Sequence, residues 1–280
     1  MKSIILALLL ISQSVFFQER DLEKDFNDLI NSELAFSSLS GKEGIKKAFV
    51  TYLDDEGIIF RPTPVNGKLF YNSRQDITGK LFWKPNFADI SVSGDFGYTT
   101  GPWEFSEKKG KAYGYFVSVW HKINDKDWRV LIDAGIPIRD SIEVRNTAKP
   151  VMNNFVKQKT VFDSVKSSFE LLALDSSIVY KKDDEVNKNK VIDLLASEMR
   201  VYVTGYKPII GKSKAIDYFK KNRKDIRTQP ESALISRAGD LAYTYGLMEI
   251  GKEQFSYLHI WKRSQESNWQ LVLEITNPNS

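Results

Sequence analysis

The chain has 280 residues, of which 42% are hydrophobic and 12% aromatic, so it can form packed cores and is not a disordered polypeptide. Its net charge is only +4, without the concentrated basic face that nucleic-acid binding requires. It has no cysteine and only two histidines, which excludes disulfides, thiol chemistry and cysteine-based metal sites.

The N-terminus has the pattern of a secretory signal peptide. Lys2 precedes an apolar run from Ile4 to Ile11, and Ser12 to Ser14 supply a small-x-small cleavage pattern. The run is too short to span a bilayer, and no cysteine follows that could carry a lipid anchor. We therefore expect residues 1–17 to be removed and the mature protein to be exported, periplasmic or secreted, without a membrane anchor. The alternative is a buried N-terminal helix.

The first half of the chain begins with predicted helices. Apolar residues recur at helical spacing within residues 20–39, and a second amphipathic stretch covers residues 42–53. A short apolar strand follows within residues 57–68, where two prolines place it at a sheet edge or before a loop. Asn72 or Ser73 is the expected N-cap of a short third helix.

A three-stranded segment then occurs twice in the sequence. Residues 94–137 and residues 239–278 align at an offset of 145 before the polar tip of a hairpin and at 141 after it, so the second tip is four residues shorter. A deletion confined to a polar loop is typical of a β-hairpin. We interpret the chain as two copies of one domain, each built on this meander. Matched positions include Gly94 and Gly239, Tyr98 and Tyr243, Trp120 and Trp261, and Pro137 and Pro278.

The second half follows the same order with weaker local matches. Helical stripes are expected from Val161 to Ala173 and from Val191 to Met199, then a strand within residues 200–212 and a helix capped by Ser213. The connection is polar and contains Pro150, so we place a boundary there and expect domains at residues 18–147 and 148–280. The predicted fold class is α+β, in two units.

These segments resemble the nuclear transport factor 2-like superfamily, and most of all its SnoaL-like and domain-of-unknown-function 4440 branch. The resemblance rests on GIIFRPTPVNGK (57–68), on GDFGYTTGPWEF (94–105) and on the strands up to Pro137, and it is weaker in the second half. It implies a cystatin-like fold in which each unit is a cone: a strongly bent antiparallel sheet packed on helices around a pocket. The same cone occurs in isomerases, cyclases, dehydratases and binding modules, so the resemblance implies a pocket without fixing a reaction.

Asp133 is the first candidate site residue, as a catalytic acid or base. It ends an otherwise apolar strand, and Glu274 holds the matching place in the second copy. A carboxylate among aliphatic side chains is desolvated and tends to have a raised pKa, which suits proton transfer. The alternative is a structural ion pair with Arg61. Thr204 matches Arg61 in the second copy, so the two pockets should differ, and the first should be the one that acts on a ligand.

Aromatic residues form the second group of candidates. Alternation along residues 113–122 leaves both faces of that strand largely apolar, so one face can line the cone and the other can pack against the second copy. The alternative for each aromatic side chain is a place in the core or interface. The candidate ligand-binding residues are Arg61, Tyr98, Trp103, Tyr115, Trp120, His121, Tyr243 and Glu274.

We expect neither a metal nor a cofactor. His121 matches Lys262, and His259 matches Ser118, so the two histidines occupy different positions and opposite strand faces. The sequence contains no glycine-rich phosphate loop, nucleophile elbow or zinc-binding helix motif.

Three functions fit these observations. The first is an exported pocket protein that binds a small, largely apolar ligand. The second is a cofactor-free acid–base enzyme of isomerase, cyclase or dehydratase type, with Asp133 as base and Tyr98 or Tyr115 as a polarising donor. The third is a structural envelope module that uses its sheet face to hold a partner. In each case the two copies are expected to pair within one chain as an internal pseudo-dimer, which would make the protein a monomer.

Overall fold

The computed structural model describes residues 21–124, 126–152, 164–181, 183–223, 225–263 and 268–279. The predicted leader of residues 1–17 and the start of the predicted stripe at Val161 lie outside the described residues. Across these ranges, no helix combines the length and the apolar composition needed to cross a membrane.

The chain forms two units of α+β class, as predicted. The first unit contains α1 (Leu22–Glu43), α2 (Ile45–Tyr52), β1 (Leu53–Phe60), β2 (Pro64–Asn66), α3 (Gly67–Asn72), β3 (Lys80–Trp83), β4 (Phe87–Ile90), β5 (Phe96–Glu107), β6 (Gly110–Ile123) and β7 (Asp127–Ile138). The second unit contains α4 (Ser164–Ser176), β8 (Val179–Lys181), α5 (Glu185–Leu194), β9 (Leu195–Val203), β10 (Ile209–Ile210), α6 (Lys212–Asn222), β11 (Asp225–Ile235), β12 (Leu241–Ile250), β13 (Glu253–Arg263) and β14 (Trp269–Pro278).

Each unit has its own seven-stranded, strongly curled sheet. The strand order is β2-β1-β7-β6-β5-β3 in the first, where β4 also pairs with β5, and β10-β9-β14-β13-β12-β11-β8 in the second. Between the described strands, all pairs are antiparallel except β1 with β7 and β9 with β14, which occupy the same place in the two sheets. The predicted meanders are β5 to β7 and β12 to β14. The boundary at residues 147/148 stays a prediction, and it falls in the stretch between β7 and α4.

Among the described residues, apolar side chains form one core inside the first unit, two inside the second and one between the two sheets. The inner core of the first unit joins α1 and α2 to the concave face of its sheet, and a corresponding core lies in the second unit. The core between the sheets takes residues from the outer faces of both, among them Tyr98, Val117, Tyr202 and Leu258. The two apolar faces that alternation predicted for β6 therefore serve two different cores.

The ends of α1 follow from local chemistry. The Asp21 carboxylate accepts a hydrogen bond from the backbone N–H of Lys24 at 2.9 Å, which caps the first turn. The helix continues past the predicted end at residue 39 and through Gly41. It stops where Gly44 adopts a φ of 97°, and the Gly44 N–H binds Ser40 O at 3.2 Å.

The predicted position of the third helix is wrong. Asn72 ends α3 instead of preceding it, and Asn66 is the N-cap, with its side chain accepting from the Leu69 N–H at 2.9 Å. Asn66 has the extended backbone that an N-cap needs because it closes β2.

Three predictions in the second unit are also wrong. Met199 lies in β9, because α5 ends at Leu194 and the following apolar run pairs with β14; a short apolar run fits either element until its partner is known. Phe169 of the predicted helical stripe is 69% exposed. Ser213 does not cap α6, which follows Gly211 at a φ of 103° without a side-chain cap.

Candidate functional site

The first unit contains a cavity of about 360 Å³ between its helices and the concave face of its sheet. Ligand pockets are typically roughly 300–1,000 Å³, so the cavity has the size for a small molecule. Among the described residues, the polar side chains that line it are those of Arg61, Tyr71 and Asp133. Most of the remaining wall is apolar and much of it is aromatic: Ile45, Phe49, Ile77, Leu81, Trp83, Trp103, Phe105 and Phe116.

Strand register explains why Asp133 faces this cavity. Asp133 lies opposite Ser118 of the neighbouring β6. Gly135 shares its face and also lines the cavity, whereas Ile132 and Ala134 point into the core between the sheets. Alternation along β7 therefore brings the single carboxylate of this apolar segment to the wall of the cavity.

One oxygen of Asp133 is bound and the other is open to a ligand. Ser118 Oγ donates to Oδ2 at 2.9 Å, and no other described group binds the carboxylate. Burial raises the pKa of Asp133 to about 6, against the Ser118 hydrogen bond and the positive charge of Arg61. A carboxyl group that titrates close to neutral pH can either accept or donate a proton.

Arg61 lines the cavity but is not paired with Asp133. Its Nη1 donates to the carbonyl of Phe60 at 2.7 Å, and its Nη2 donates to the Tyr71 hydroxyl at 3.1 Å. Within the described ranges no carboxylate lies within 4 Å of its guanidinium. The structural ion pair that the sequence allowed is therefore wrong, because Tyr71 and a carbonyl hold the guanidinium away from the acid.

Two hydrogen-bond donors lie on the same wall. The Tyr71 hydroxyl accepts from Arg61 and keeps its own proton to donate. The indole N–H of Trp103 has no hydrogen-bond partner among the described residues, and it lies 3.5 Å from the place where a Cβ on Gly135 would be. The cavity thus offers a ligand one anionic acceptor, Asp133, and two neutral donors.

A second buried acid lies behind the aromatic wall, and the sequence interpretation missed it. Glu33 of α1 accepts from Trp83 Nε1 at 2.5 Å, from Trp120 Nε1 at 2.8 Å and from the Thr99 hydroxyl. Burial raises its pKa to about 7 against these hydrogen bonds, and the charge of Asp133 raises it further. Its signal was a charged residue in the middle of the apolar stripe of a helix.

Among the predicted site residues, Asp133, Arg61 and Trp103 line the cavity. Tyr98, Tyr115 and Tyr243 pack instead in the core between the sheets, because their neighbours on each strand take the inward face. Neither Tyr98 nor Tyr115 is therefore a donor to the cavity, and both expectations are corrected.

Trp120 and His121 also lie away from the cavity wall. Trp120 belongs to the inner core of the first unit and binds Glu33. His121 faces the other way, and its Nε2 lies 2.8 Å from Oδ2 of Asp54.

Glu274 is locked inside the second unit. Its two oxygens bind the two Nη atoms of Arg223, one of them at 3.0 Å, and His259 Nε2 lies 3.1 Å from Oε2. Burial would raise the pKa of Glu274, but Arg223 and His259 lower it to about 2. The strand register also matches Val203, not Thr204, with Arg61. The acid that recurs in the repeat is therefore open in the first unit and fully bound in the second.

The bound acid belongs to a chain of buried polar groups. His259 Nδ1 lies 3.0 Å from Oδ1 of Asp175, and the Tyr257 hydroxyl donates to Oδ2 of Asp175 at 2.8 Å. Burial would lower the pKa of His259, but Asp175 and Glu274, one on each ring nitrogen, raise it to about 9. The imidazole is therefore charged at neutral pH and donates to both acids. In the described part of the chain, no three His, Asp or Glu side chains converge as a metal site.

The comparisons with known proteins find similarity only among solved structures. No protein-family model and no curated protein matches the sequence. The matching structures include a ketosteroid isomerase-like protein from Erwinia carotovora atroseptica, 14% identical, which covers 42% of this chain and 99% of its own with a TM-score of 0.33. A nuclear transport factor 2-like protein of unknown function from Shewanella oneidensis is 16% identical, with coverages of 39% and 96% and a TM-score of 0.33.

A third match is the Delta 5-3-ketosteroid isomerase from a Mycobacterium species, 15% identical, with coverages of 37% and 91% and a TM-score of 0.29. Each match spans most of its own chain but about two-fifths of this one, which is the length of a single unit. The structures that this chain resembles in fold are therefore nuclear transport factor 2-like and ketosteroid isomerase-like proteins, over about two-fifths of its length.

Proposed function

We propose that the first unit binds a small, largely apolar ligand in its cavity, and that Asp133 holds a polar group of that ligand. The observation that carries this proposal is a carboxylate with one open oxygen in an otherwise aromatic and aliphatic wall. A buried charge of this kind costs stability, so its presence is more readily explained by a ligand than by the fold. A structural module would not need a cavity of this volume.

Apolar contact supplies the affinity in this proposal. A one- or two-ring ligand that buries about 200 Å² of apolar surface gains roughly 5 kcal/mol at 25 cal/mol per Å², before the cost of immobilisation. The two indoles on the wall, Trp83 and Trp103, make the site visible by fluorescence.

Filling the cavity tests the proposal. A Cβ on Gly135 would meet Trp103 Nε1 at 3.5 Å and Tyr115 O at 3.6 Å, which are ordinary contacts, so the variant Gly135→Val should fold and occupy part of the cavity. Gly41→Ala is the matched control, because a Cβ on Gly41 meets nothing within 4 Å.

Native mass spectrometry of the purified protein should find a co-purifying small molecule in the wild type and the control, and a reduced amount in Gly135→Val. Quenching of tryptophan fluorescence by a panel of planar aromatic ketones and esters should likewise be similar in the wild type and the control and weaker in Gly135→Val. Equal binding by Gly135→Val and wild type would place any ligand elsewhere and refute the proposal.

A second candidate function is cofactor-free acid–base catalysis at the same cavity. It is favoured by a carboxyl that titrates at about pH 6 and is free of Arg61. Asp133 would take a proton from a carbon next to a carbonyl, and the Tyr71 hydroxyl or the Trp103 N–H would bind the oxygen that becomes negative. NMR in D₂O tests this, since wild type should exchange such protons in a bound ketone and Asp133→Asn should not. Exchange that persists in Asp133→Asn rules out this role.

Pairing of the two units within one chain is proposed from contacts between equivalent turns. The backbone N–H of Val92 donates to Oδ2 of Asp240 at 2.9 Å, and that of Arg237 donates to Oδ2 of Asp95 at 3.3 Å. Val92 and Arg237, like Asp95 and Asp240, are 145 residues apart, so the contacts are reciprocal, as across a two-fold axis. An internal pseudo-dimer of this kind should be a monomer by light scattering, and a stable dimer would contradict it.

Export is proposed from the leader alone. The test is the N-terminus of the protein recovered after expression of the full chain in a bacterial host. A mature N-terminus near residue 18 supports export, and retention of Met1 in the cytoplasm contradicts it.

A further inference from the structure

Arg61 is an anchored cation on the wall of an apolar cavity. Of its five N–H groups, one is held by the carbonyl of Phe60 and one by the hydroxyl of the buried Tyr71. Three N–H groups remain, and within the described ranges no carboxylate lies within 4 Å of them. Because two hydrogen bonds already fix the guanidinium, an incoming anion would order little more of the side chain.

The surroundings of Arg61 are also positive. Its guanidinium lies 5.9 Å from the ring centre of Phe70, and that of Arg74 lies 4.1 Å from the same ring. Lys46 Nζ donates to the carbonyl of Arg74 at 2.7 Å. Asp76 lies nearby and accepts on Oδ1 from the backbone N–H groups of Lys46 and Ile77, at 2.9 and 2.8 Å. It keeps its negative charge, and the three cations Arg61, Arg74 and Lys46 outweigh it. Ile77 lines the cavity and is 45% exposed, so it lies at the rim where the cavity meets solvent. The positive charges around this rim favour an approaching anion.

Asp133 adds a negatively charged group to the same cavity. It is more than 4 Å from Arg61, and aromatic side chains such as Trp83, Trp103 and Phe116 line the same space. A ligand with an anionic end and an apolar body can bind Arg61 with its anion and place rings in the aromatic part. A hydroxyl or amine at its other end would then donate to Asp133.

We infer that the ligand of this cavity is a small aromatic carboxylic acid whose carboxylate is bound by Arg61. The inference rests on the proposed function, since it names the class of ligand for the same cavity. A carboxylate fits better than a phosphate monoester, because one guanidinium fork matches one carboxylate and Asp133 opposes a second negative charge. The cavity volume of about 360 Å³ suits one or two rings.

Calorimetric titration with matched acids and esters tests the inference. The probes are benzoate, phenylacetate and naphthoate, each beside its methyl ester, which keeps the rings and removes the charge. Wild type should bind each acid at least tenfold more tightly than its ester, as expected for a charge-assisted bidentate contact. Arg61→Gln should lose this preference while it keeps its affinity for the esters.

Two further variants distinguish direct binding of the carboxylate by Arg61 from a general effect of the positive charges around the cavity. Arg61→Lys keeps the charge but loses the fork, so it should retain only part of the preference. Arg74→Gln removes a neighbouring rim charge and should keep the preference to within about threefold, as expected of an exposed charge without direct contact. Thermal unfolding of each variant shows whether loss of the bond to Tyr71 has disturbed the fold.

The outcomes distinguish the inference from the function on which it rests. If acids and esters bind wild type equally, or if Arg61→Gln leaves the preference unchanged, the carboxylate site is refuted and the apolar cavity stands. If the esters also fail to bind, and Gly135→Val leaves co-purification and quenching unchanged, the proposed function fails as well.

Discussion

Replacing Asp133 by asparagine should stabilise the protein at neutral pH. The amide oxygen of asparagine can still accept from Ser118 Oγ, which lies 2.9 Å from Oδ2 in the native protein. The substitution therefore keeps the hydrogen bond and the shape, and it removes a charge that burial disfavours. Most single substitutions destabilise proteins, so a gain at a cavity wall would be a specific result.

The expected size follows from the pKa of Asp133. Burial raises this pKa from the ordinary 3.8 to about 6, so between these values the native state binds more protons than the unfolded state. Stability of the wild type therefore falls as pH rises through that window, and the total loss is about 3 kcal/mol at 1.36 kcal/mol per pH unit. Asp133→Asn avoids this loss, so its advantage should be close to zero at pH 4 and about 3 kcal/mol at pH 7.

Urea unfolding at a series of pH values measures this advantage. Tryptophan fluorescence reports mainly on the first unit, which holds Trp83, Trp103, Trp120 and Trp128 of the six tryptophans. Asp127→Asn is the control, since Asp127 is exposed on the same strand and should change stability by less than about 0.5 kcal/mol at any pH. A difference between Asp133→Asn and wild type that does not vary with pH, or a loss at pH 7, would refute the reasoning.

Three further predictions concern buried polar groups and repeated glycines. Glu33→Gln should lower the free energy of unfolding, measured in urea, by about 1–3 kcal/mol, because the new amide NH₂ would face an indole N–H. An unchanged unfolding midpoint would contradict this. Glu274→Gln should lower the free energy of unfolding at pH 7 by about 3–5 kcal/mol, because Arg223 loses its counter-ion. The pKa of Glu274 is lower in the folded state than in the unfolded state, so the wild type should lose the stabilisation from this ion pair as pH falls from 4.5 towards 2. Acid unfolding followed by circular dichroism measures this loss. Gly101→Ala and Gly246→Ala should both lower the melting temperature, because a Cβ would lie 2.1 and 2.2 Å from a backbone oxygen; tolerance of either would contradict the equivalence of the two sites.

Much of the fold could be predicted from the sequence because the repeat is dense in residues with strict backbone or packing requirements. Gly101 and Gly246 match at the offset of 145, and each allows close approach of a backbone segment, residues 84–86 at Gly101 and part of β11 at Gly246. The same offset extends further upstream than residue 94, since Pro85 matches Pro230 and Ser91 matches Ser236. This longer match relates the start of β4 to the middle of β11, an equivalence that the shorter repeat leaves out.

The candidate site was predicted only in part, because several of its residues depend on long-range packing. Asp133 and Trp103 could be found from apolar strands, whose alternation is local. Tyr71 and Glu33 reach the site through the placement of α3 and α1, which no periodicity specifies. The orientation of Tyr98 and Tyr115 depends on which strand face meets the other unit, and the sequence shows only that both faces are apolar.

By itself, the sequence determined that the chain contains two α+β copies and that each keeps an acid at the same place, Asp133 and Glu274. Only the tertiary structure decided which acid is open. Strand register sets Ser118 opposite Asp133 and His259 opposite Glu274. A small hydroxyl leaves one carboxylate oxygen of Asp133 facing a cavity. An imidazole, together with Arg223 from the end of α6, binds Glu274 completely. The difference depends on groups that are far apart in the chain and that meet only when the sheet and its helices have packed.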